Sequence, residues 1–305
     1  MSVLASWLAS SPPDAAIEIA PERVSAATMV SRGSSLNVES HATEALPPGA
    51  VVASLATLNI VDQPTVTNAV RTVLGRLERR VSRVALIIPD LSVKVSLIRF
   101  DQVPERRDDL DQLVRWQVRK SAPFPIDEAC VSYTKGAGGP AGGSEFVVVV
   151  ARRDVVEDYE RVCAAAGVYA GLVDSATFSA LNFVLAAPNL PGGDWLAVHM
   201  RPTYTSIAIV RGEDVIFFRN RPEGDDESLT DMVHQTAMYY QDRLAGRGFS
   251  RVLLAGSGRA PGAVDIARRD LEERLGTRVE PMGSSDVLTP LAGMLMRTRR
   301  EAVGV

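Results

Sequence analysis

The chain has 305 residues, 46% of them hydrophobic and 23% charged, with a formal net charge of −4. That length holds two compact units with real cores, and the acidic balance excludes a nucleic-acid binder that relies on a basic patch to displace counterions from phosphate. Cys130 and Cys163 form no CxxC pair, no apolar run approaches the ~20 residues that span a bilayer, and the N-terminus lacks the basic-then-apolar order of a signal peptide. The expectation is therefore a cytoplasmic protein that meets a membrane only through a partner.

Val3, Leu4, Trp7 and Leu8 form a short apolar stripe stopped by Ser11-Pro12-Pro13. Residues 1–13 read as a tail helix folded against its own domain, with a docking helix for a partner or a membrane surface as the alternative, of which the missing Lys and Arg weaken the membrane option. Ala15 to Ile19 and Val24 to Val30 are expected as strands joined by a turn at Pro21-Glu22. Val66, Ala69, Val70, Val73 and Leu77 fall on one side of a helix over Thr65 to Leu77. Val84 to Ile88 is a buried strand closed by Pro89-Asp90, and Val93 to Phe100 alternates as a half-exposed one. Leu110, Leu113, Val114 and Val118 predict the next helix. Pro123 and Pro125 are expected to end it, since each ring removes a donor and pushes the preceding residue to extended geometry.

Phe124 is held between those prolines as an apolar knob, and Ile126-Asp127-Glu128 leads into a strand through Val131 and Tyr133. That strand and Phe146 to Ala151 flank KGAGGPAGGS, which is expected to form a flexible hairpin tip. Helices follow at Asp154 to Ala166, stopped by Gly167, and at Ser175 to Ala186. A boundary at residues 188–193 precedes a return of the opening pattern. Strands are expected at Leu196 to Met200, Thr205 to Val210 and Val215 to Arg219, then a helix from Leu229 to Leu244. Val252 to Ala255 is a buried strand ending in Gly256-Ser257-Gly258, and the chain closes with a helix from Pro261 to Leu275, a short strand at Val279 and a helix from Leu288 to Met296.

The order of helix, Pro-Phe-Pro corner and acidic turn over Leu110 to Tyr133, with the run Ala151 to Tyr159, resembles the PilM family of type IV pilus assembly, and the resemblance extends over nearly the whole chain. It implies an α/β fold of two duplicated actin-like, ribonuclease H-like lobes with an FtsA-type inserted module. The first lobe would take residues 14–88 and 163–187, the module 89–162, and the second lobe 188–305. Only Arg221 to Arg251 occupies the interval where such proteins carry a helical 2B subdomain, so that subdomain is expected to be largely missing, an arrangement similar to the cytoplasmic region of GspL.

The resemblance also says where nucleotide chemistry would sit. The first hairpin turn of the superfamily reads D-x-G, but here Glu18 replaces the aspartate, Ala20 the glycine, Pro21 deletes a donor and Glu22 points a charge at the triphosphate. Two like charges 4 Å apart cost roughly 4 kcal/mol at an effective dielectric near 20. In the second turn His199 replaces the aspartate, Arg201 the glycine, and Pro202 deletes a donor. The third loop, Gly256-Ser257-Gly258, survives, with glycines that close helix–strand packing alone would demand. The expectation is a degenerate site without ATP or metal: a pseudo-ATPase.

Other catalytic readings are weaker. His41, His199 and His234 have no metal-ligand spacing, and Ser257 lies in no G-x-S-x-G elbow. What remains is binding. The resemblance implies a cytoplasmic, homo-oligomeric scaffold of the pilus inner-membrane platform. It would hold the N-terminal tail of a PilN-like membrane protein in a groove between first lobe and inserted module, and link it to motor and platform proteins. Trp116, flanked by Arg115 and Arg119, and Phe124 are the candidate partner contacts. An ATP-binding switch and a GspL-like part of type II secretion are the alternative roles.

Overall fold

The computed structural model describes residues 13–303 except 33–34, 139–142, 188–191, 225–227, 257–260 and 284. The first sheet comprises β1 (Ala15–Ile19), β2 (Arg23–Arg32), β3 (Ser35–Ala45), β4 (Arg83–Ile88) and β8 (Tyr169–Ser175), in the order β3-β2-β1-β4-β8. The second comprises β9 (Asp194–Arg201), β10 (Tyr204–Arg211), β11 (Asp214–Pro222), β12 (Arg251–Gly256) and β13 (Val279–Pro281), in the order β11-β10-β9-β12-β13. Each sheet is a three-stranded antiparallel meander whose first strand pairs in parallel with a fourth strand, which in turn pairs in parallel with a fifth. The two lobes thus share one topology.

The central strands are apolar on both sides because both faces are covered. In β1, Ala15, Ile17 and Ile19 pack with helices α1 (Gln63–Gly75) and α3 (Arg153–Ala165), while Ala16 faces the other layer. Helix α1 starts where Asp62 accepts a hydrogen bond from the Thr65 amide and Pro64 fits the first turn. On the second sheet, α5 (Leu229–Arg243) and α6 (Ala263–Leu275) cover one face. Among the described residues, α5 is the one helix between β11 and β12.

The inner layers are exchanged between the lobes. Helix α4 (Ala176–Leu185) comes from the first half, yet Ala180, Leu181 and Val184 pack on the second sheet. Helix α7 (Leu288–Val303) comes from the second half, yet Leu291, Ala292, Met294 and Leu295 pack on the first. The two helices cross at Gly293, where a Cβ would lie 2.0 Å from the Ser179 carbonyl oxygen. Chain order therefore does not divide the cores, although it divides the sheets.

A third sheet, β5 (Lys94–Phe100), β6 (Ala129–Gly138) and β7 (Ser144–Arg152) in the order β5-β7-β6, is inserted between β4 and β8. Helix α2 (Arg107–Val118) lies on one face, with Val114 and Val118 against Phe146, Val148 and Val150. Three details correct the sequence reading. Helix α2 ends at Val118, and a turn in which the Ser121 and Ala122 amides donate to the Val118 carbonyl separates it from Pro123. Strand β6 continues into the expected flexible tip, pairing Lys135 with Phe146 and Gly138 with Ser144. The expected limit of the insert at 162 falls inside α3, whose Val155, Tyr159, Val162 and Cys163 belong to the first lobe's core.

Candidate functional site

The two hairpin turns, Pro21-Glu22 and Pro202-Thr203, face each other across the interlobe cleft, and the charges beside them pair. Arg201 Nη2 lies 2.9 Å from Glu18 Oε1 and 3.2 Å from Glu22 Oε1. Arg23 lies 3.5 Å from Glu18 and 2.8 Å from Glu22. Two carboxylates and two guanidiniums thus form a neutral set, and the side chains of Glu18 and Arg201 are 1% and 2% exposed. Burial pushes the Glu18 carboxyl above its ordinary range, against the pull of Arg201 and then Arg23. Burial also opposes charge on Arg201, but Glu18 leads the neighbours that raise its guanidinium above the ordinary value.

Beside this set, Asp90 joins the lobes from the end of β4. Its carboxylate accepts the Thr177 amide at 3.0 Å, the Ser206 hydroxyl at 2.6 Å and the Thr177 hydroxyl. Its main chain donates to the Tyr204 hydroxyl and accepts from Asn220. Thr177 has one hydroxyl proton and gives it to Asp90, so His199 Nδ1, 2.8 Å from the same oxygen, must be the donor there. His199 is therefore a neutral Nδ1–H imidazole, consistent with burial holding its pKa well below the usual histidine range. Its Nε2 is a buried acceptor with no partner among the described residues.

Gly256 sits at φ +104°, and a Cβ there would lie 1.8 Å from the Met200 carbonyl oxygen. The glycine serves the approach of β12 to β9, rather than helix–strand packing. Gly256→Ala is expected to cost about 3 kcal/mol or more, combining the left-handed backbone with a clash against main chain; urea denaturation measures it, and a loss under about 1 kcal/mol would contradict this account.

A second concavity lies on the other side of the first lobe. Strand β6 is one edge of the third sheet and β8 one edge of the first, the other edges being β5 and β3. Between the β6 and β8 edges runs a groove of about 440 Å³, lined by Cys130 through Gly136 of β6 and Leu172 through Ser175 of β8. Val147, Val149 and Ala151 of β7 supply an apolar wall. At the floor Arg297 pairs with Asp174 at 2.8 Å. Among the described residues the Ser175 hydroxyl and the Asn182 amide nitrogen, both buried there, have no hydrogen-bond partner. Unpaired buried polar atoms beside an open cavity can be met by water or by a bound group.

The family model described as "Type IV pilus assembly protein PilM" matches residues 16–243. The chain belongs to the PilM family. The PilM subunit of a solved "PilM-PilN type IV pilus biogenesis complex" superposes with a TM-score of 0.77 at 16% identity, covering 94% of this chain and 98% of that one. A Bacteroides thetaiotaomicron protein with an actin-like ATPase fold gives 0.56 at 9% identity, over 97% and 98%. The cytoplasmic domain of EpsL, from the type II secretion system of Vibrio cholerae, gives 0.51 at 10% identity, over 93% and 94%. These structures share the actin-like fold.

In this PilM-family chain the first and second turns meet as the resemblance implies, bringing Glu18, Ala20, Pro21 and Glu22 opposite His199, Arg201 and Pro202. Ser257 and Gly258 lie outside the described residues. Trp116, Arg115, Arg119 and Phe124 lie outside the lining of the groove. Helix α2 covers the face of the third sheet built from Phe146, Val148 and Val150, whereas the groove uses the alternate residues Val147, Val149 and Ala151. Trp116 is 64% exposed, Arg115 pairs with Asp111 at 3.2 Å, and Arg119 is exposed, but none of them lines the groove. Phe124 packs half-buried on the core of the third sheet. Sequence reasoning missed Asp90, Thr177 and Ser206; the available signal was an aspartate directly after a fully apolar strand, a place where a buried carboxylate needs several donors.

Among the described residues no group of three or more His, Cys, Asp or Glu could hold a metal ion, and no helix is long and apolar enough to cross a membrane.

Proposed function

We propose that this PilM-family protein is a docking subunit of the type IV pilus inner-membrane platform that takes the extended N-terminal tail of a PilN-type membrane protein and works without bound nucleotide. The observation that carries the reading is the groove between two unpaired sheet edges. An extended segment laid there gains main-chain hydrogen bonds from β6 or β8, and its alternate side chains enter the apolar wall. The unpartnered Ser175 hydroxyl and Asn182 amide are placed to meet its polar groups. The solved PilM–PilN complex pairs a relative of the same fold with such a partner.

The cleft supports the second half of the reading. A hydrated Mg²⁺ and a triphosphate need free carboxylate and free main-chain donors. Here Glu18 is committed to Arg201 and Arg23, both turns carry proline, and Arg201 puts an internal cation beside the carboxylate that would serve the metal. The residues present do not fit a nucleotide with its metal. In this reading the protein does not hydrolyse ATP; it sits on the cytoplasmic face of the inner membrane through its partner, and joins motor and platform subunits as a homo-oligomer.

Titration calorimetry of the full chain tests both halves. A synthetic peptide of about fifteen residues from the tail of the same organism's PilN-type protein is expected to bind with micromolar Kd, and Mg-ATP at about 1 mM to give no saturable heat. Saturable micromolar binding of Mg-ATP would overturn the nucleotide-free reading, and absence of peptide binding would overturn the docking one.

A further inference from the structure

The groove has a third wall, supplied by the other lobe. The turn between β10 and β11 reaches the end of β6, and Glu213, Asp214 and Val215 line the cavity with Lys135 and Gly136. Strand β11 packs against β5 and β6 there. The backbone of Gly136 comes so near that a Cβ on it would lie 3.9 Å from an Asp214 carboxylate oxygen. Among the described residues neither Glu213 nor Asp214 takes part in an ion pair or a side-chain hydrogen bond. Two basic side chains share the groove lining: Arg297 is committed to Asp174, and Lys135 forms no ion pair with either acid. Burial first, and then Glu213, push the Asp214 carboxyl above its ordinary range, which marks negative charge not yet compensated. The unpartnered Ser175 hydroxyl, on a residue 3% exposed, lies in the same groove.

From this we infer that Glu213 and Asp214 form a charge-reading end of the docking groove, which selects an extended segment carrying a basic side chain opposite the end of β6. The inference rests on the docking reading and adds two things to it. The occupant's chemistry is specified: apolar residues alternating along β6, then Lys or Arg at the second-lobe end. The site also becomes incomplete without the second lobe, so that occupancy depends on how the lobes are held. A cation in that position relieves the repulsion between two neighbouring acids and meets both at short range, where partial burial strengthens the attraction. Because the acids lie at the rim, their main effect falls on partner selection and association rate, and it weakens with salt.

Fluorescence anisotropy with the labelled PilN-type tail peptide tests this on the full chain, with alkylation of the groove thiol Cys130 as a second readout of occupancy. The double variant Glu213→Gln/Asp214→Asn is expected to weaken binding about tenfold at low salt, with the difference shrinking as salt rises. A peptide with its Lys and Arg replaced by norleucine should bind the wild type about as weakly as the native peptide binds that variant. Replacing them with Glu should abolish binding to the wild type and restore it to Asp214→Lys. The native peptide should protect Cys130 in both proteins at saturating concentration. If the peptide binds and protects Cys130 but loses less than about twofold on neutralising the acids, or if a tail without any basic residue binds equally well, the charge-reading inference falls and the docking reading stands. If no peptide binds or protects, the docking reading itself falls.

Discussion

Glu18→Gln is expected to lower the unfolding free energy by about 3 kcal/mol, seen as a drop in Tm of roughly 5–10 °C. The reason is charge balance rather than the loss of one contact. Glu18, Glu22, Arg23 and Arg201 sum to zero, and the side chains of Glu18 and Arg201 are almost fully removed from water. Removing one carboxylate leaves a guanidinium in excess in a buried set, with Glu22 and then Asp90 left to act on Arg201. Glu22 remains within reach of Arg201, which keeps the loss below the upper end seen for broken buried pairs. The matching double variant Glu18→Met/Arg201→Met removes one charge of each sign and leaves the Arg23–Glu22 pair, so it should recover stability to within about 1 kcal/mol of wild type. A loss under about 1 kcal/mol for Glu18→Gln would mean that the carboxyl is already neutral in the fold. Double-variant losses that simply add would mean that the two groups are not coupled.

How much of this was legible beforehand follows from burial. Strands such as Val84–Ile88 and Val252–Ala255 announce themselves because central strands are covered on both faces and become unbroken apolar runs. Strand β3 has no such signature. It is an edge of the first sheet, and its residues Asn37, Glu39, His41 and Thr43 point to solvent, so no apolar alternation marks it. Strand β8 is interrupted by Gly171 and shifts register against β4 between Val84 and Ala85, which breaks its period. The exchange of α4 and α7 between the lobes is invisible for a different reason. A helix pattern reports that a face is buried, not which sheet buries it.

The same distinction governs the site. The departures at Glu18, Ala20, Pro21, His199, Arg201 and Pro202 stand in the sequence, because the two turns are short and their expected chemistry is strict. That Arg201 reaches across to Glu18 is not there, since it depends on two hairpins some 180 residues apart facing each other. A concavity does lie between the first lobe and the inserted sheet, but its lining was not legible in the sequence, and Trp116 is not part of that lining. Trp116 is exposed, on the face of the third sheet that the groove does not use.

Asp90→Ala should be costlier still, at about 3–5 kcal/mol, because it strands the Thr177 amide, the Thr177 hydroxyl and the Ser206 hydroxyl in a dry interior at about 1–3 kcal/mol for each unpaired group, less whatever the hydroxyls regain by rotating. The substitution also removes the carboxylate that accepts a main-chain donor in the first turn of α4, a favourable position for negative charge. Main-chain bonds from residue 90 to Tyr204 and Asn220 survive, so the lobes are weakened at this point rather than separated. A readout specific to this wiring comes from His199. In the wild type the Thr177 proton is given to Asp90, which forces the imidazole to donate through Nδ1. Without Asp90 the hydroxyl can turn and donate to Nδ1 instead, moving the imidazole proton to Nε2, whose lone pair has no partner among the described residues of the intact fold. Nitrogen-15 NMR of selectively labelled histidine distinguishes the two tautomers. The expected pattern is Nδ1–H in the wild type and Nε2–H in Asp90→Ala, with the neutral form kept in both. Finding Nε2–H in the wild type would show that Thr177 does not donate to Asp90, and the hydrogen-bond order across the cleft would have to be reversed.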